Sequence, residues 1–353
     1  MSNWQRIKSG KLGKEIFIKR ALIIKSIRDW FWAADFLEVE TPETVALPGQ
    51  EPYLQVLDTE IADDRGQKFS ASLITSPEYA MKKLLAAGCE KIFQITKAFR
   101  GNESFGGLHN PEFTILEWYR QNASYIDIMK DTEELVAHVL AKLNFSDKIN
   151  YQGMEIDFSL PWERMSVAEA MAKFAGVGDL AYESLILSAR EKGYKESPTP
   201  PRLPSGRGGS GESYDSVFFK IFLNEVENKF DKTRPIIIYD WPAELGALAK
   251  TKNDNPRVAE RFEAYAGGLE IANAFSELLD PAEQKQRFLA EQKIRRQDGK
   301  KVYPIDEDLL AALGEIKNPC GGIALGVDRL VMLLTNQKEI NNVIFFPAKE
   351  LFY

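Results

Sequence analysis

The sequence predicts an α+β domain, an antiparallel β-sheet flanked by helices, and three observations lead there. Strand-like runs rich in β-branched and aromatic residues recur along the chain, and amphipathic helical periods are set between them. Two strand-like runs also flank Gly267-Gly268, which reads as a hairpin turn and not as a crossover between parallel strands. With 353 residues, 44% hydrophobic and 11% aromatic, the chain can bury an ordinary globular core, and residues 1–353 are expected to form one domain.

The elements follow in order. Ile18, Leu22, Ile23, Ile27, Trp30 and Phe31 fall near helical spacing, so residues 14–35 are expected to be an amphipathic helix. Residues 36–41 read as a short strand stopped by Pro42, which cannot donate to a ladder. A strand is expected over 69–75, a helix over 78–87, strands over 91–99 and 112–120, and a helix over 125–143. Residues 195–213 (KESPTPPRLPSGRGGSGES) are rich in Pro, Gly and Ser and are expected to be a flexible surface loop inside the domain. Strand character resumes over 235–239, and 321–334 reads as a strand entering a helix.

Composition excludes several classes. Lys and Arg number 45 against 52 Asp and Glu, a net charge of −7, which argues against a nucleic-acid surface as the main business of the chain. Cys89 and Cys320 match neither a disulfide framework nor a zinc site and are expected to be buried free thiols. No apolar run reaches membrane-spanning length and no hydrophobic signal region follows the N-terminus, so no membrane partner and a cytoplasmic location are expected.

Three clusters carry chemistry. Arg100, Glu103, His109 and Asn110 lead into a strand on which Phe113, Ile115, Glu117 and Tyr119 share a face. An aromatic, a carboxylate and a phenol so placed suit a planar base and a cation, although a half-exposed sheet face reads equally well. In the second cluster, Glu263 precedes the Gly267-Gly268 turn and Glu270, Ile271, Asn273, Phe275 and Glu277 follow it. Period two puts Asn273, Phe275 and Glu277 together and Glu270 on the other face, unless a bulge intervenes. Acids on an apolar hairpin are costly unless they bind a metal or an amine. The third cluster, Gly321-Gly322 to Gly326 and Arg329, suits a polyphosphate near a helix start, or simple helix packing.

Together, in this order, these segments resemble the class II aminoacyl-tRNA synthetases. Residues 36–42 look like the first class motif, a dimer-interface strand ending in proline; 99–119 look like the second and 321–334 like the third. Thr75-Ser76-Pro77-Glu78-Tyr79, HNPEFT and EIANAFSEL are close to the lysyl branch. The resemblance implies a class II catalytic domain that joins lysine to ATP with magnesium. It assigns Arg100 to the α-phosphate, Phe113 to adenine and Arg329 to the γ-phosphate, with Glu103, His109, Asn110, Glu270, Ile271 and Gly326 also at ATP. Glu263 and Glu270 would hold Mg2+, and Ser76, Glu78, Glu117, Tyr119, Asn273 and Glu277 would form the amino-acid pocket. It implies in-line attack of the amino-acid carboxylate on the α-phosphorus, driven by positioning and charge neutralisation.

Roughly forty residues precede the first motif, so no anticodon-binding domain and no stable tRNA binding are expected. In this the chain resembles the truncated paralogues that ligate a lysine-type residue to a lysine side chain of elongation factor P, which is the expected protein substrate. Ser76, where lysyl-tRNA synthetases usually carry Ala, and the runs SPEYAMKKLLAAGC and ALGVDRLVML point the same way. Lysine or (R)-β-lysine is the expected substrate, a homodimer the expected assembly, and a minimal tRNA-lysylating enzyme the alternative. Three departures from the family pattern stand out, the first being that the loop over 195–213 is longer than expected. Gly101 and Asn102 both separate Arg100 from Glu103, where the second motif has one residue, and Ala274 replaces a usual Gly and is expected to narrow the site.

Overall fold

Eight strands make the central sheet of the computed structural model, which describes residues 1–195, 213–246 and 248–353. In chain order they are β1 (Leu37–Glu38), β2 (Lys91–Phe99), β3 (Glu112–Gln121), β4 (Glu163–Ser166), β5 (Ile236–Pro242), β6 (Val258–Ala266), β7 (Leu269–Ser276) and β8 (Cys320–Gly326). Their order in space is β1-β2-β3-β8-β7-β6-β5-β4. Every pairing is antiparallel except those of the two edge strands, β1 with β2 and β4 with β5.

The flanking helices that matter for the site are α1 (Lys14–Ala33), α2 (Glu78–Ala86), α3 (Tyr125–Lys142), α4 (Pro281–Gln297) and α5 (Val327–Leu334). Their starts are written locally. The Ser124 backbone N–H donates to Asp127 Oδ2 at 2.9 Å in a capping box that opens α3. Asp280 accepts from the backbone N–H groups of Ala282 and Glu283 at 2.8 and 2.9 Å and precedes Pro281 at the head of α4.

Strand alternation divides β3 between two layers. Leu116 and Trp118 sink into a core with Phe31 of α1, Val136 of α3 and Leu330 of α5. Tyr119 faces the other way, among Met81 and Leu85 of α2 and Phe288 of α4. Fully burying one such Leu or Phe contributes about 1.5–3 kcal/mol, so these layers fix the sheet that carries the site.

The predicted strands and helices are present, with β1 much shorter than residues 36–41. The Val39 N–H still bonds the Phe93 carbonyl at 2.9 Å, but regular pairing ends at Glu38. The loop expected over 195–213 lies outside the described residues apart from its ends. Both cysteines are free, Cys320 buried and Cys89 half-buried, because Cys89 sits in the turn after α2. No helix among the described residues is long and apolar enough to cross a membrane.

Candidate active site

A cavity of about 300 Å³ lies on the sheet face opposite α1. Strand β3 lends it Phe113, Ile115, Glu117 and Tyr119, the alternating set expected from the sequence. Ser76 and Glu78 enter at the start of α2, Arg100, Glu103, His109 and Asn110 from between β2 and β3, and Gly326 and Arg329 from the junction of β8 and α5.

Strand β7 supplies Glu270, Ile271, Asn273 and Phe275. Strict alternation cannot do this, and the register shows how it is done. Ala264 of β6 opposes Ala272, but the next residue, Tyr265, opposes Glu270, leaving Ile271 as an extra residue. This bulge turns Glu270 onto the face of Asn273. Ala274, expected to narrow the site, points instead into the opposite core beside Phe262 and Ile323 and leaves the cavity unaffected.

The inner end of the cavity is acidic. Ser76 Oγ and Tyr119 Oη donate to the two oxygens of Glu117 at 2.6 and 2.7 Å. Burial, reinforced by the charge of Glu78, pushes the Glu117 carboxyl up to about 8 despite those two hydrogen bonds. Beneath it, Lys82 Nζ lies 2.5 Å from both Glu78 Oε1 and Glu277 Oε2, with 1% of the lysine exposed. Burial alone would lower the Lys82 pKa, but Glu277 and Glu78 outweigh it and its pKa rises. Glu277 is thus a buried support below the cavity floor and not part of its lining. Sequence reading overlooked Lys82, although its spacing of four from Glu78 on a predicted helix is a readable ion-pair signal.

The floor tolerates no side chain at Gly322. A Cβ there would stand 2.2 Å from Glu277 Oε1 and 2.4 Å from the Tyr119 ring. Gly322→Ala is expected to cost about 1–3 kcal/mol in urea denaturation and to weaken binding of whatever ligand occupies this end of the cavity.

The outer end holds both arginines, with Glu103 and Glu270 beside them. The Arg100 guanidinium lies 5.0 Å from the Phe113 ring centroid. Arg329 Nη1 donates to the Glu270 carbonyl at 2.8 Å and sits 3.4 Å from its carboxylate, while Nη2 is 3.3 Å from His109 Nε2. Glu103 reaches the cavity in spite of the extra residue before it, because Asn102 takes a left-handed turn (φ 58°). Its carboxylate is 4.0 Å from His109 Nε2. Asn110 spends its side chain on the backbone, donating to the Glu112 carbonyl at 2.6 Å and accepting from the Ala348 N–H at 2.9 Å. Asp328, also unforeseen, accepts from the Thr114 N–H at 2.7 Å and pairs with Arg20 at 2.5 Å, which locks the start of α5 to β3.

Glu263 and Glu270 were the expected magnesium ligands. Glu270 lines the cavity beside Arg329, whereas Glu263, one strand away and opposite Asn273, is buried and accepts from Arg261 Nη2 at 2.5 Å and from the Tyr265 hydroxyl. Among the described residues no three His, Cys, Asp or Glu side chains are grouped for a metal. One or two carboxylates completed by phosphate oxygens is nevertheless the usual donor set for magnesium, and Glu270 backed by Glu263 fits it. When bound, the ion would neutralise phosphate charge.

The cavity therefore matches an elongated substrate pair, a polyanion toward the arginines and a cation toward the carboxylates. Residues 5–350 match the family "tRNA synthetases class II (D, K and N)". The lysine–tRNA ligase of Pelotomaculum thermopropionicum is 38% identical over 337 residues, covering 95% of this chain and 63% of that protein. The lysine–tRNA ligase of Carboxydothermus hydrogenoformans is 39% identical over 336 residues, covering 95% and 65%. The chain spans a little under two thirds of the length of these curated relatives. It belongs to the class II (D, K and N) tRNA synthetase family.

Proposed function

We propose that this chain is an ATP-dependent ligase that activates lysine or (R)-β-lysine as an aminoacyl-adenylate and transfers it to a lysine side chain of elongation factor P. The observation that carries the activation step is the polarity of one cavity, with Glu117 and Glu78 at one end and Arg100 and Arg329 at the other. A substrate with two amines gains carboxylate partners that a neutral amino acid would leave unpaired in a buried site. With the carboxylate of the amino acid held toward Arg100, attack on the α-phosphorus needs no protein base, only alignment and charge neutralisation. Ser76 Oγ, bonded to Glu117, sets the polarity next to the substrate amine.

A protein acceptor is supported by Ser76 and by the acidic balance of the chain, which gives a tRNA backbone little to hold. The names of the relatives favour a second reading, lysylation of tRNA. Incubation with ATP, lysine or (R)-β-lysine and elongation factor P should add one lysyl mass to that protein. Efficient charging of tRNA with no mass gain on the factor would favour the second reading. We also propose a homodimer, supported by the exposed Ile18, Leu22 and Trp32 along α1 and by the exposed edge-strand residue Leu37.

The raised Glu117 carboxyl has a consequence for stability. The folded state holds a proton that the unfolded chain releases above about pH 4.3. Its contribution is therefore complete below that value and is lost as pH rises toward about 8. The melting temperature of the ligand-free protein should fall across this window, and Glu117→Gln should flatten the slope. An unchanged slope in the variant would contradict the assignment.

A further inference from the structure

A second cavity, of about 1020 Å³, adjoins the first. The two share Glu51, Leu54, Asn273 and Phe275 in their walls, so they meet at that point. Phe219, Leu245 and Leu289 give it hydrocarbon sides, and Leu289, 42% exposed, marks where it opens to solvent. One side chain in it is out of place. Glu291 of α4 lines this cavity, is 8% exposed, and makes no hydrogen bond or ion pair among the described residues. An unpaired carboxylate so buried is costly, and adenylate formation makes no use of it. Burial dominates its titration, with Glu51 and Glu78 adding to the shift and Arg287 and Arg295 opposing it, and the carboxyl moves to about 8.

We propose that this second cavity is the entry port for the acceptor, and that Glu291 takes the proton from a primary ammonium delivered on an unbranched aliphatic arm. This deepens the protein-acceptor reading above and rests on it. An alkylammonium has no free electron pair at neutral pH and cannot attack. With its carboxyl moved to about 8, a minor fraction of Glu291 is ionised near pH 7, and transfer of one proton to that carboxylate form frees the pair on nitrogen. The C–N bond to the acyl carbon then forms, the bond from that carbon to the phosphate oxygen breaks, and AMP leaves with the electron pair. The second nitrogen proton passes to solvent water. The hydrocarbon walls suit the methylenes of such an arm, and the carboxylate waits at its charged end.

The test follows a single turnover of enzyme-bound lysyl adenylate in the full chain and in Glu291→Gln. Two nucleophiles are compared near pH 7: Nα-acetyl-lysine amide, which is protonated, and hydroxylamine, which is largely neutral. The port account predicts that the ratio of alkylamide to hydroxamate falls by about 10²-fold or more in the variant. It also predicts that the ratio recovers as rising pH deprotonates the amine. The variant should melt no lower than the parent, since an amide of the same size replaces a carboxyl that is largely neutral near pH 7, which separates the effect from misfolding. An unchanged ratio, including equal losses with both nucleophiles, overturns the role of Glu291 while leaving the protein-acceptor reading intact. If the parent enzyme yields hydroxamate but no amide with any alkylamine, that reading falls and the port falls with it.

Discussion

Replacing Arg100 by alanine is expected to lower kcat for lysine-dependent pyrophosphate exchange by about 10²–10³-fold, the usual loss when one donor to a developing anionic charge is removed. The expectation rests on how Arg100 is held. Its guanidinium lies over the Phe113 ring at 5.0 Å, and its Nε is buried with no hydrogen-bond partner among the described residues. Burial lowers its pKa, while Glu51, Glu103 and Glu270 oppose the change, so the site bears a desolvation cost to keep a cation there. Buried unsatisfied donors are rare in folded proteins, and one beside a cavity is a candidate partner for a ligand. Arg100→Lys should recover only part of the loss, because an ammonium cannot reproduce the planar fork. The measurement is steady-state exchange at saturating lysine. A loss confined to the KM for lysine would contradict the placement of Arg100 at the phosphate end.

Lys82→Met should be the most destabilising of the substitutions considered, by about 3–5 kcal/mol in urea denaturation. The lysine is 1% exposed, between two carboxylates that each approach to 2.5 Å. Removing it leaves Glu78 and Glu277 facing one another in a dry site without a counter-ion. The double variant Lys82→Met with Glu277→Gln should recover part of the loss, because one of the stranded charges is then gone. If the double variant is no more stable than the single one, the cost lies in packing and not in charge.

Much of this was legible in the sequence, for physical reasons. Strand alternation is set by backbone geometry, so the shared face of Phe113, Ile115, Glu117 and Tyr119 could be read directly from spacing. Glu270 could not be placed in this way, because the bulge at Ile271 depends on how β6 and β7 pair and leaves no mark in a period-two pattern. Ala274 was misjudged for a related reason: its neighbours Asn273 and Phe275 face the cavity, so Ala274 must face the core. Helix α4 went unread because its buried positions include Gln284, Glu291, Gln292 and Arg295, which erase the apolar stripe on which helix reading depends. Asp280-Pro281 at its head was the available signal. Lys82 meets Glu277 and Asp328 meets Thr114 only across elements, so the fold alone brings those pairs together.

The most direct test of the central claim is ATP–pyrophosphate exchange by the purified chain with lysine, (R)-β-lysine and, as controls, norleucine and glutamate. Exchange with one or both lysine isomers, and none with norleucine or glutamate, is the predicted result if the carboxylate end of the cavity binds a cationic side chain as proposed. Exchange with norleucine as fast as with lysine, or none with any lysine isomer, would contradict it.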